Sequence, residues 1–426
     1  MAQDPTTLTA TEAAALIRSR KLSAAELAEA CLDRVRRREP EVEAWAHIDP
    51  DRVRAAARAA DAVAPRSALH GIPFGVKDVI DSADLPTEYG SEIFAGNRPS
   101  QDAACIAKMK AAGAVLMGKT VSTEFATYRP GKTRNPVNAG HTPGGSSSGS
   151  AAAVGDRMVP IAFGNQTAGS LIRPAAYCGV CALKPTFGTV DLGGILALEN
   201  SFDTLGYMAR SFDDIAAFYG IVRGVAMPPV PDTLPRPPRI GVLANFNTDV
   251  TEAPSREAVA RAATRLGSLG ASVGDVRLPD TYASLPATHA TILNVGLSRN
   301  LGEIYRTNGN RISERLRGMI EDGLACPPDR LAAAVDHAER CRRGINTVFG
   351  DWDVFLCPSA PGEAPEGLGT TGNPIFQLAW TLMHLPCATV PFGLGPRGLP
   401  VGVQIIGREG EDETVLRIAK WLHTRQ

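Results

Sequence analysis

The first sixty residues carry apolar side chains at the three- and four-residue spacing of helices with one apolar face. After Ser23, for example, Leu27, Cys31 and Val35 recur every four residues and form one apolar stripe. Three helix-start signals accompany this pattern. They are Thr9 with Glu12, Ser23 with Glu26, and Asp49 before Pro50. The pattern predicts an N-terminal helical segment, residues 1–60, that packs against the rest of the protein.

From about residue 69 the pattern changes to short apolar runs that alternate with helical segments. The runs are residues 72–76, 114–117, 158–163, 240–243, 354–357 and 401–406. Strands that alternate with helices form parallel or mixed sheets covered by helices. The predicted fold class is therefore α/β, with a mixed central β-sheet sandwiched by many α-helices. Six prolines within residues 228–238 indicate a linker, and residues 256–346 are predicted to be largely helical.

Composition and charge remove several functional classes. The chain has 426 residues, 44% of them hydrophobic and 21% charged, as expected of a globular protein. A formal net charge of −1 gives no basic surface for nucleic acid, so no nucleic-acid partner is expected. No secretory signal is visible, and no apolar stretch reaches the roughly 20 residues that span a bilayer. The eight scattered cysteines are typical of reduced thiols, and Cys178 with Cys181 lacks a second pair at zinc spacing. We therefore predict a cytoplasmic protein with no membrane contact.

Two short motifs match known signatures but lie in the wrong structural context. Residues 113–120 satisfy the phosphate-loop expression G-x-x-x-x-G-K-[ST], yet the four residues between the glycines are apolar and predict a strand. Residues 145–149 satisfy G-x-S-x-G, with Ser147 in the nucleophile position. That motif normally follows a strand, whereas residues 135–144 hold two prolines and two glycines. Both motifs are alternatives to a third, longer pattern.

The longer pattern consists of two clusters rich in glycine and serine, within residues 142–154 and 164–179. Residues 151–154 and 158–163 lie between the glycine-rich parts and are core-like, so we expect both clusters to be fixed to packed structure. Successive backbone N–H groups in such turns can converge on one anion, as an oxyanion hole requires. Two tight turns without a function are the alternative.

A serine nucleophile in these clusters needs a base, and the chain offers two kinds of candidate. His141 lies just before the first cluster, although a single loop histidine is common at turns and surfaces. Lysine is the other candidate, because only eight of the 44 basic residues are lysines and arginine does not deprotonate. Lys77 follows the apolar run 72–76, where burial would lower its pKa and leave a neutral amine. Lys119 and Lys184 also border apolar runs, but we favour Lys77.

The sequence resembles the amidase signature family at these clusters and at further segments in the same order along the chain. The further segments are residues 71–78, 112–120, 124–125, 183–186, 203–206 and 398–407. Residues 69–214 and 353–422 carry the resemblance, whereas residues 215–350 match poorly. The resemblance implies an amidase signature domain over residues 61–426, with a variable, largely helical, substrate-facing region at about 225–350.

The resemblance also implies a Ser–cisSer–Lys triad that uses neither a metal nor a cofactor. The family's lysine falls on Lys77, its bridging serine on Ser146 and its nucleophile on Ser170. Ser170 would attack the substrate carbonyl while Ser146 passes its proton to neutral Lys77. The implied peptide between Gly145 and Ser146 is cis. The implied oxyanion hole is formed by the backbone N–H groups of Thr167, Ala168, Gly169 and Ser170.

The second cluster departs from the family's commonest form in the position of its arginine. Arg173 follows Ser170 by three residues instead of two. On a helix starting at Ser170, this shift would turn the side chain by about 100°, nearer to the nucleophile. The sequence is similar here to malonamidase-like members, in which this arginine binds a substrate carboxylate. A guanidinium could equally tie two loops together, so both interpretations stay open. Gly145 and Tyr128 are the other expected substrate-binding residues.

The resemblance implies hydrolysis of the C–N bond of a small amide. Carbamates are a second substrate class, because the same triad and oxyanion hole would serve them. Another alternative is the A-type subunit of a glutamine-dependent amidotransferase, which channels ammonia from glutamine to a charged tRNA and depends on partner chains. The neutral charge and the lack of an obvious tRNA-binding extension count against it. A non-catalytic binding protein is disfavoured because all three triad positions are filled. A homodimer is the expected assembly.

Overall fold

The sheet and its helices are described by a computed structural model that covers residues 4–426. Within these residues, the eleven strands are β1 Trp45–Ile48, β2 Pro73–Lys77, β3 Val115–Thr120, β4 Ile161–Gln166, β5 Cys181–Lys184, β6 Thr204–Ala209, β7 Arg239–Leu243, β8 Ser272–Val276, β9 Val354–Pro358, β10 Cys387–Leu394 and β11 Pro400–Gly407. All of them belong to one sheet, in the spatial order β1-β3-β2-β4-β6-β5-β10-β11-β9-β7-β8.

Fourteen α-helices accompany this sheet over the same described residues. They are α1 Ala10–Arg18, α2 Ala24–Val42, α3 Pro50–Asp61, α4 Ala104–Ala111, α5 Ser148–Gly155, α6 Ile172–Tyr177, α7 Phe212–Arg223, α8 Ala253–Ser268, α9 Leu285–Asn300, α10 Gly302–Asn308, α11 Glu314–Leu324, α12 Pro328–Phe349, α13 Ile375–Leu382 and α14 Asp412–His423. In the described part of the chain, none of them combines the length and the apolar character that crossing a membrane requires.

The strand directions make the sheet mixed. Strand β2 runs parallel to both β3 and β4, and β7 runs parallel to both β8 and β9. The other neighbouring pairs are antiparallel. This mixed sheet and its helices confirm the predicted α/β class.

The N-terminal prediction is confirmed for the helices and wrong for the segment between two of them. Both capping boxes form, at the starts of α1 and α2, and the Asp49 carboxylate accepts N–H groups at the start of α3. However, β1 lies between α2 and α3 and pairs with β3 at the edge of the sheet. Four residues are too few to show the alternation of a strand, so helical spacing dominated the pattern. Residues 1–60 therefore contribute an edge strand as well as helices.

Each of the six predicted apolar runs overlaps a strand, but five strands were missed. The missed strands are β1, β5, β6, β8 and β10. Every residue of β5 and β6 is buried, so neither shows the alternation of polar and apolar side chains that marks a half-exposed strand. The run predicted over residues 158–163 also begins too early, because β4 starts only after Pro160. Burial on both faces therefore explains why β5 and β6 were missed.

The three parallel strands β3, β2 and β4 bring their carboxyl ends to one edge of the sheet. Lys77 is the last residue of β2, and Asn165 and Gln166 end β4. The first glycine-rich cluster leads into α5, which packs against β2, β3 and β4. The second cluster includes the last residues of β4 and the loop that follows them. Ser146 and Ser170, which follow Lys77 by 69 and 93 residues in the sequence, therefore lie at the same edge of the sheet as Lys77.

The variable region is mainly helical, as predicted. Residues 225–238 contain neither helix nor strand, in agreement with the proline-rich linker, and α8 to α12 follow, interrupted by β8. Helix α9 packs against α11, α12 and α13. Because α13 lies beside the second cluster, this packing brings the variable region against the glycine-rich core.

We predict that Gly149→Ala destabilises the protein far more than Gly267→Ala. Gly149 donates its N–H to the Val121 carbonyl, and a methyl group on it would overlap the backbone atoms of Ala44 and Val121. Such an overlap with fixed backbone should lower the free energy of unfolding by about 3 kcal/mol or more. Gly267 lies in α8 with open space around it, so its replacement should raise stability by about 0.5–1 kcal/mol. Equal melting temperatures for the two variants would contradict this account.

Candidate active site

The centre of the site is a lysine amine that is buried without a carboxylate beside it. Lys77 is 0% exposed, and its Nζ lies 2.6 Å from Ser146 Oγ and 2.5 Å from Asn165 Oδ1. Both partners are neutral. Burial lowers the pKa of Lys77 well below its ordinary value, and the charge of Asp203 only partly opposes this effect. A neutral amine is the form that can accept a proton.

Lys119, on the neighbouring strand, shows what a buried lysine with a carboxylate looks like. Its Nζ lies 2.8 Å from Asp78 Oδ1 and donates to Thr87 Oγ1 at 2.6 Å. Burial also lowers the pKa of Lys119, but the ion pair with Asp78 favours the charged form. The third lysine that borders an apolar run, Lys184, donates to the Pro185 carbonyl at 2.8 Å. Among the three, Lys77 is the one that contacts a serine of the glycine-rich clusters.

Ser146 lies in a backbone turn that holds its hydroxyl against Lys77. The Gly145–Ser146 peptide is cis, which confirms the expectation from the family resemblance. The Ser146 carbonyl accepts the N–H of Thr123 at 3.3 Å, and α5 begins at Ser148. Ser146 is only 1% exposed, so protein atoms set the orientation of its hydroxyl group.

Ser170 lies in the middle of the second cluster, beside the first cluster. Its carbonyl accepts the N–H of Ser147 at 3.1 Å, which ties the two clusters together next to Ser146. Its side chain lines a pocket. Within residues 4–426 no hydrogen bond joins the hydroxyls of Ser146 and Ser170. The structure therefore contains the hydrogen bond between Lys77 and Ser146 and places Ser170 next to Ser146.

The backbone between β4 and α6 presents free donors. In the described part of the chain, the N–H groups of Ala168, Gly169 and Ser170 have no hydrogen-bond partner. Residues of this loop line the same pocket as the Ser170 side chain. Unpaired N–H groups beside a hydroxyl have the arrangement that an oxyanion hole requires. The Thr167 side chain donates to Asp203 Oδ1 at 2.5 Å, and burial raises the pKa of Asp203 to about 6.

The pocket at Ser170 is small and mostly apolar. Its lining residues are Ala126, Thr127, Tyr128, Thr167, Ala168, Ser170, Arg173, Leu198, Leu293, Leu297, Met319 and Pro374. Leucines of α9 and a methionine of α11 form part of the wall. The cavity volume of about 20 Å³ lies well below that of typical ligand pockets.

Arg173 both ties two loops together and keeps free donors. Helix α6 begins at Ile172, two residues later than the helix start considered in the sequence analysis. Arg173 Nη2 donates to the Gly145 carbonyl at 2.7 Å and to Thr371 Oγ1 at 3.1 Å. Its Nε and Nη1 atoms are buried without a partner among the described residues. An unpaired buried donor is costly, so these N–H groups suit a group brought by a ligand.

Tyr128 is in contact with a second cation, Arg315, whose charge acts on Arg173. The Arg315 guanidinium of α11 lies over the Tyr128 ring, 3.6 Å from its centroid. Burial lowers the pKa of Arg173, and the positive charge of Arg315 acts in the same direction, although Tyr177 and Tyr128 oppose it. Gly145 is not among the residues that line the pocket, and its carbonyl accepts a hydrogen bond from Arg173. Of the three expected substrate-binding residues, Arg173 and Tyr128 face the pocket.

The alternative motifs do not form sites. Residues 113–120 contain β3 itself, so no loop separates their glycines. Ser147 is fully buried, and its hydroxyl donates to the Asn165 carbonyl at 3.3 Å. His141 Nδ1 lies 2.9 Å from the Ala364 carbonyl, away from the serines. The cysteines Cys178 and Cys181 are free and buried, and no cluster of metal-ligating side chains occurs within residues 4–426.

Sequence reasoning missed several residues of the site. Asn165 lies inside the second cluster, but the pattern gives no side-chain direction. Thr371 and Arg315 lie outside the two clusters. The spacing of residues along the chain does not reveal such long-range contacts, although the poor match of residues 215–350 indicated where pocket residues would differ.

Comparisons with known proteins agree on one family. The family model described as Amidase matches residues 26–416. The A-type subunit of glutamyl-tRNA(Gln) amidotransferase from Chloroflexus aggregans is 35% identical over 465 residues, covering 96% of this chain and 95% of that protein. A crystal structure of an amidase has a TM-score of 0.90 and 28% identity, covering 98% of this chain and all of the other. The structure of 6-aminohexanoate cyclic dimer hydrolase complexed with substrate has a TM-score of 0.87 and 27% identity, covering 99% and 98% of the two chains.

We predict that Lys77→Met is more stable than the natural protein and that the difference grows as the pH falls from about 10. The folded state holds Lys77 with a lowered pKa, so it binds fewer protons than the unfolded state between the lowered and the ordinary pKa. Stability is therefore lost as the pH falls through this window, by up to about 1.4 kcal/mol per pH unit. Methionine has no titratable group, so the variant does not lose this stability as the pH falls. Thermal unfolding at a series of pH values measures the difference.

Lys119→Met is the matched control for this prediction. It breaks a buried ion pair and leaves Asp78 uncompensated, so it should destabilise the protein by about 3–5 kcal/mol. If Lys77→Met were destabilised in the same way at every pH, the amine of Lys77 would be a charged structural group and not a base.

Proposed function

We propose a specific reaction for this chain, which belongs to the amidase signature family: hydrolysis of the C–N bond of a small amide that carries a carboxylate, through an acyl-enzyme on Ser170. The observation that carries the proposal is the buried Lys77 amine, in contact with Ser146 and without a carboxylate partner. A base of this kind has no evident structural purpose, since it costs stability whenever it is forced to exist uncharged.

In the proposed reaction the proton moves along three side chains. Neutral Lys77 accepts the proton of Ser146 while Ser146 accepts that of Ser170, and the Ser170 oxygen attacks the carbonyl carbon. The tetrahedral oxyanion is bound by the backbone N–H groups of the loop that ends at Ser170. When the C–N bond breaks, the proton returns from Lys77 through Ser146 to the leaving nitrogen. Water then enters, and the same relay hydrolyses the acyl-enzyme.

The charges around the pocket support a substrate with a carboxylate. Arg173 keeps two buried N–H-bearing nitrogens unpaired, and Arg315 adds a second positive charge over Tyr128. The lining residues within the described chain include no aspartate or glutamate. A buried guanidinium without a counterion favours an anionic ligand. Membership of a malonamidase-like subgroup remains a prediction, and so does the homodimer.

Two alternatives use the same catalytic groups. A carbamate would acylate Ser170 by the same steps, so amides and carbamates must be compared directly. The A-type subunit of an amidotransferase is favoured by the names of the curated relatives. Its substrate glutamine carries an ammonium group as well as a carboxylate, and the pocket residues described above offer no acidic side chain for that ammonium. For this reason we place the half-amide of a dicarboxylic acid ahead of glutamine.

We predict that Ser170→Ala lowers kcat at least about 1,000-fold, because the nucleophile is lost. Ammonia release from the monoamide of a short dicarboxylic acid measures the effect. Ser147→Ala is the control for the alternative nucleophile and should retain activity if it folds. Loss of activity in Ser147→Ala, with Ser170→Ala active, would contradict the proposal. Glutamine assayed beside the half-amide, with the purified chain alone, separates the amidotransferase alternative.

We predict that Arg173→Ala removes the preference for substrates with a carboxylate. The value of kcat/KM for the half-amide should fall about 100-fold or more, because the carboxylate loses a buried charged partner. The neutral alkyl amide of the same length controls for general damage to the site and should lose much less. Arg315→Ala should act in the same direction but more weakly, because Arg315 is exposed. An equal fall for both substrates would mean that Arg173 only ties the loops.

A further inference from the structure

The loop after β4 contains three consecutive carbonyl groups, and each of them accepts a hydrogen bond from another part of the protein. The Thr167 carbonyl lies 2.8 Å from His289 Nε2, the Ala168 carbonyl accepts the Thr381 hydroxyl at 3.0 Å, and the Gly169 carbonyl accepts the Arg173 N–H at 3.3 Å. The last of these bonds is an ordinary contact of a helix start. The first two come from side chains of α9 and α13, distant in the sequence.

These contacts fix the direction of the N–H groups on the other side of the chain. A trans peptide is planar, and its C=O and N–H bonds point in opposite directions. A donor that holds the Thr167 carbonyl therefore sets the direction of the Ala168 N–H. A donor that holds the Ala168 carbonyl does the same for the Gly169 N–H. Both N–H groups belong to the unpaired set, and Ala168 lines the Ser170 pocket.

The environment of His289 makes its ring the hydrogen-bond donor in this contact. The ring is 2% exposed and packs on Phe202 with a centroid distance of 4.8 Å. Burial lowers the pKa of His289 to about 4, although its hydrogen bond to Thr167 opposes this effect. The imidazole is thus neutral at ordinary pH, and the nitrogen that faces a carbonyl must carry its one hydrogen.

The hydroxyl of Thr381 is committed in the same way. Its oxygen accepts the side-chain N–H of Gln166 at 3.0 Å, so its single hydrogen is available for the Ala168 carbonyl. The carbonyl oxygen of the Gln166 side chain accepts the N–H groups of Leu171 and Ile172, at 3.0 and 3.1 Å. One network therefore holds the loop at both ends.

We infer that His289 and Thr381 are positioning residues, which orient the peptide groups of the oxyanion hole without touching the substrate. Neither side chain lines the pocket. The inference rests on the proposed function, because the N–H groups matter for catalysis only if Ser170 forms a tetrahedral intermediate. It also gives the variable region a part in catalysis, since α9 supplies His289.

The test uses Thr381→Val, which keeps the shape and removes the hydroxyl, together with His289→Ala and His289→Gln. We expect kcat for the half-amide to fall about 10- to 100-fold in Thr381→Val and His289→Ala, somewhat less than the loss of an oxyanion donor itself. KM should change little. A boronate that forms a tetrahedral adduct with serine should lose affinity by the same factor as kcat/KM, because both depend on the N–H directions. His289→Gln, which restores an N–H donor, should recover part of the loss.

Thr389→Val is the matched control. Thr389 is a fully buried threonine of β10 whose hydroxyl pairs with Ser359 and, within the described chain, makes no hydrogen bond to residues 167–170, so this variant should keep kcat and boronate affinity. If Thr381→Val and His289→Ala kept both quantities while Ser170→Ala was inactive, the positioning inference would be wrong and the proposed function would stand. Activity in Ser170→Ala would instead overturn the proposed function.

Discussion

The burial of one lysine without a charged partner is the constraint on which the site depends. Lys77 ends a strand that lies between two parallel neighbours, so its side chain enters a space filled by protein. Among the described residues, its Nζ donates only to the neutral oxygens of Ser146 and Asn165. Lys119, one strand away, is equally buried but has Asp78. The difference between a base and a structural cation is therefore the presence of one carboxylate, not the depth of burial.

The glycines of the two clusters allow backbone and side chains to pack closely, which keeps the loops rigid. Gly169 shows the requirement, because a methyl group there would lie 2.6 Å from Gln377 Oε1. The space that glycine leaves is filled by the side chains of Gln377, Pro374 and Arg173. Carbonyl groups on one side of this loop are bonded to the protein, and N–H groups on the other side stay free. Unpaired donors are expensive in a buried site, which is why their occurrence together indicates a ligand or a transition state.

Part of this site could be predicted from the sequence and part could not. The end of an apolar run located Lys77, and the two clusters located Ser146 and Ser170, because these signals are local. Strands β5 and β6 were missed since burial on both faces removes their alternation. Contacts from distant segments were also hidden. His289 and Thr381 reach the loop from helices more than 100 residues away in the sequence, and no spacing rule predicts such meetings.

The central claim is that Ser170 carries the acyl group and that the Lys77 amine enables its transfer. The most direct measurement is peptide mass spectrometry of enzyme quenched in acid during turnover of the half-amide. The account predicts an acyl adduct on the peptide that contains Ser170, and no adduct in Lys77→Met. An adduct on Ser147, or an adduct on Ser170 that forms at the natural rate without Lys77, would contradict it.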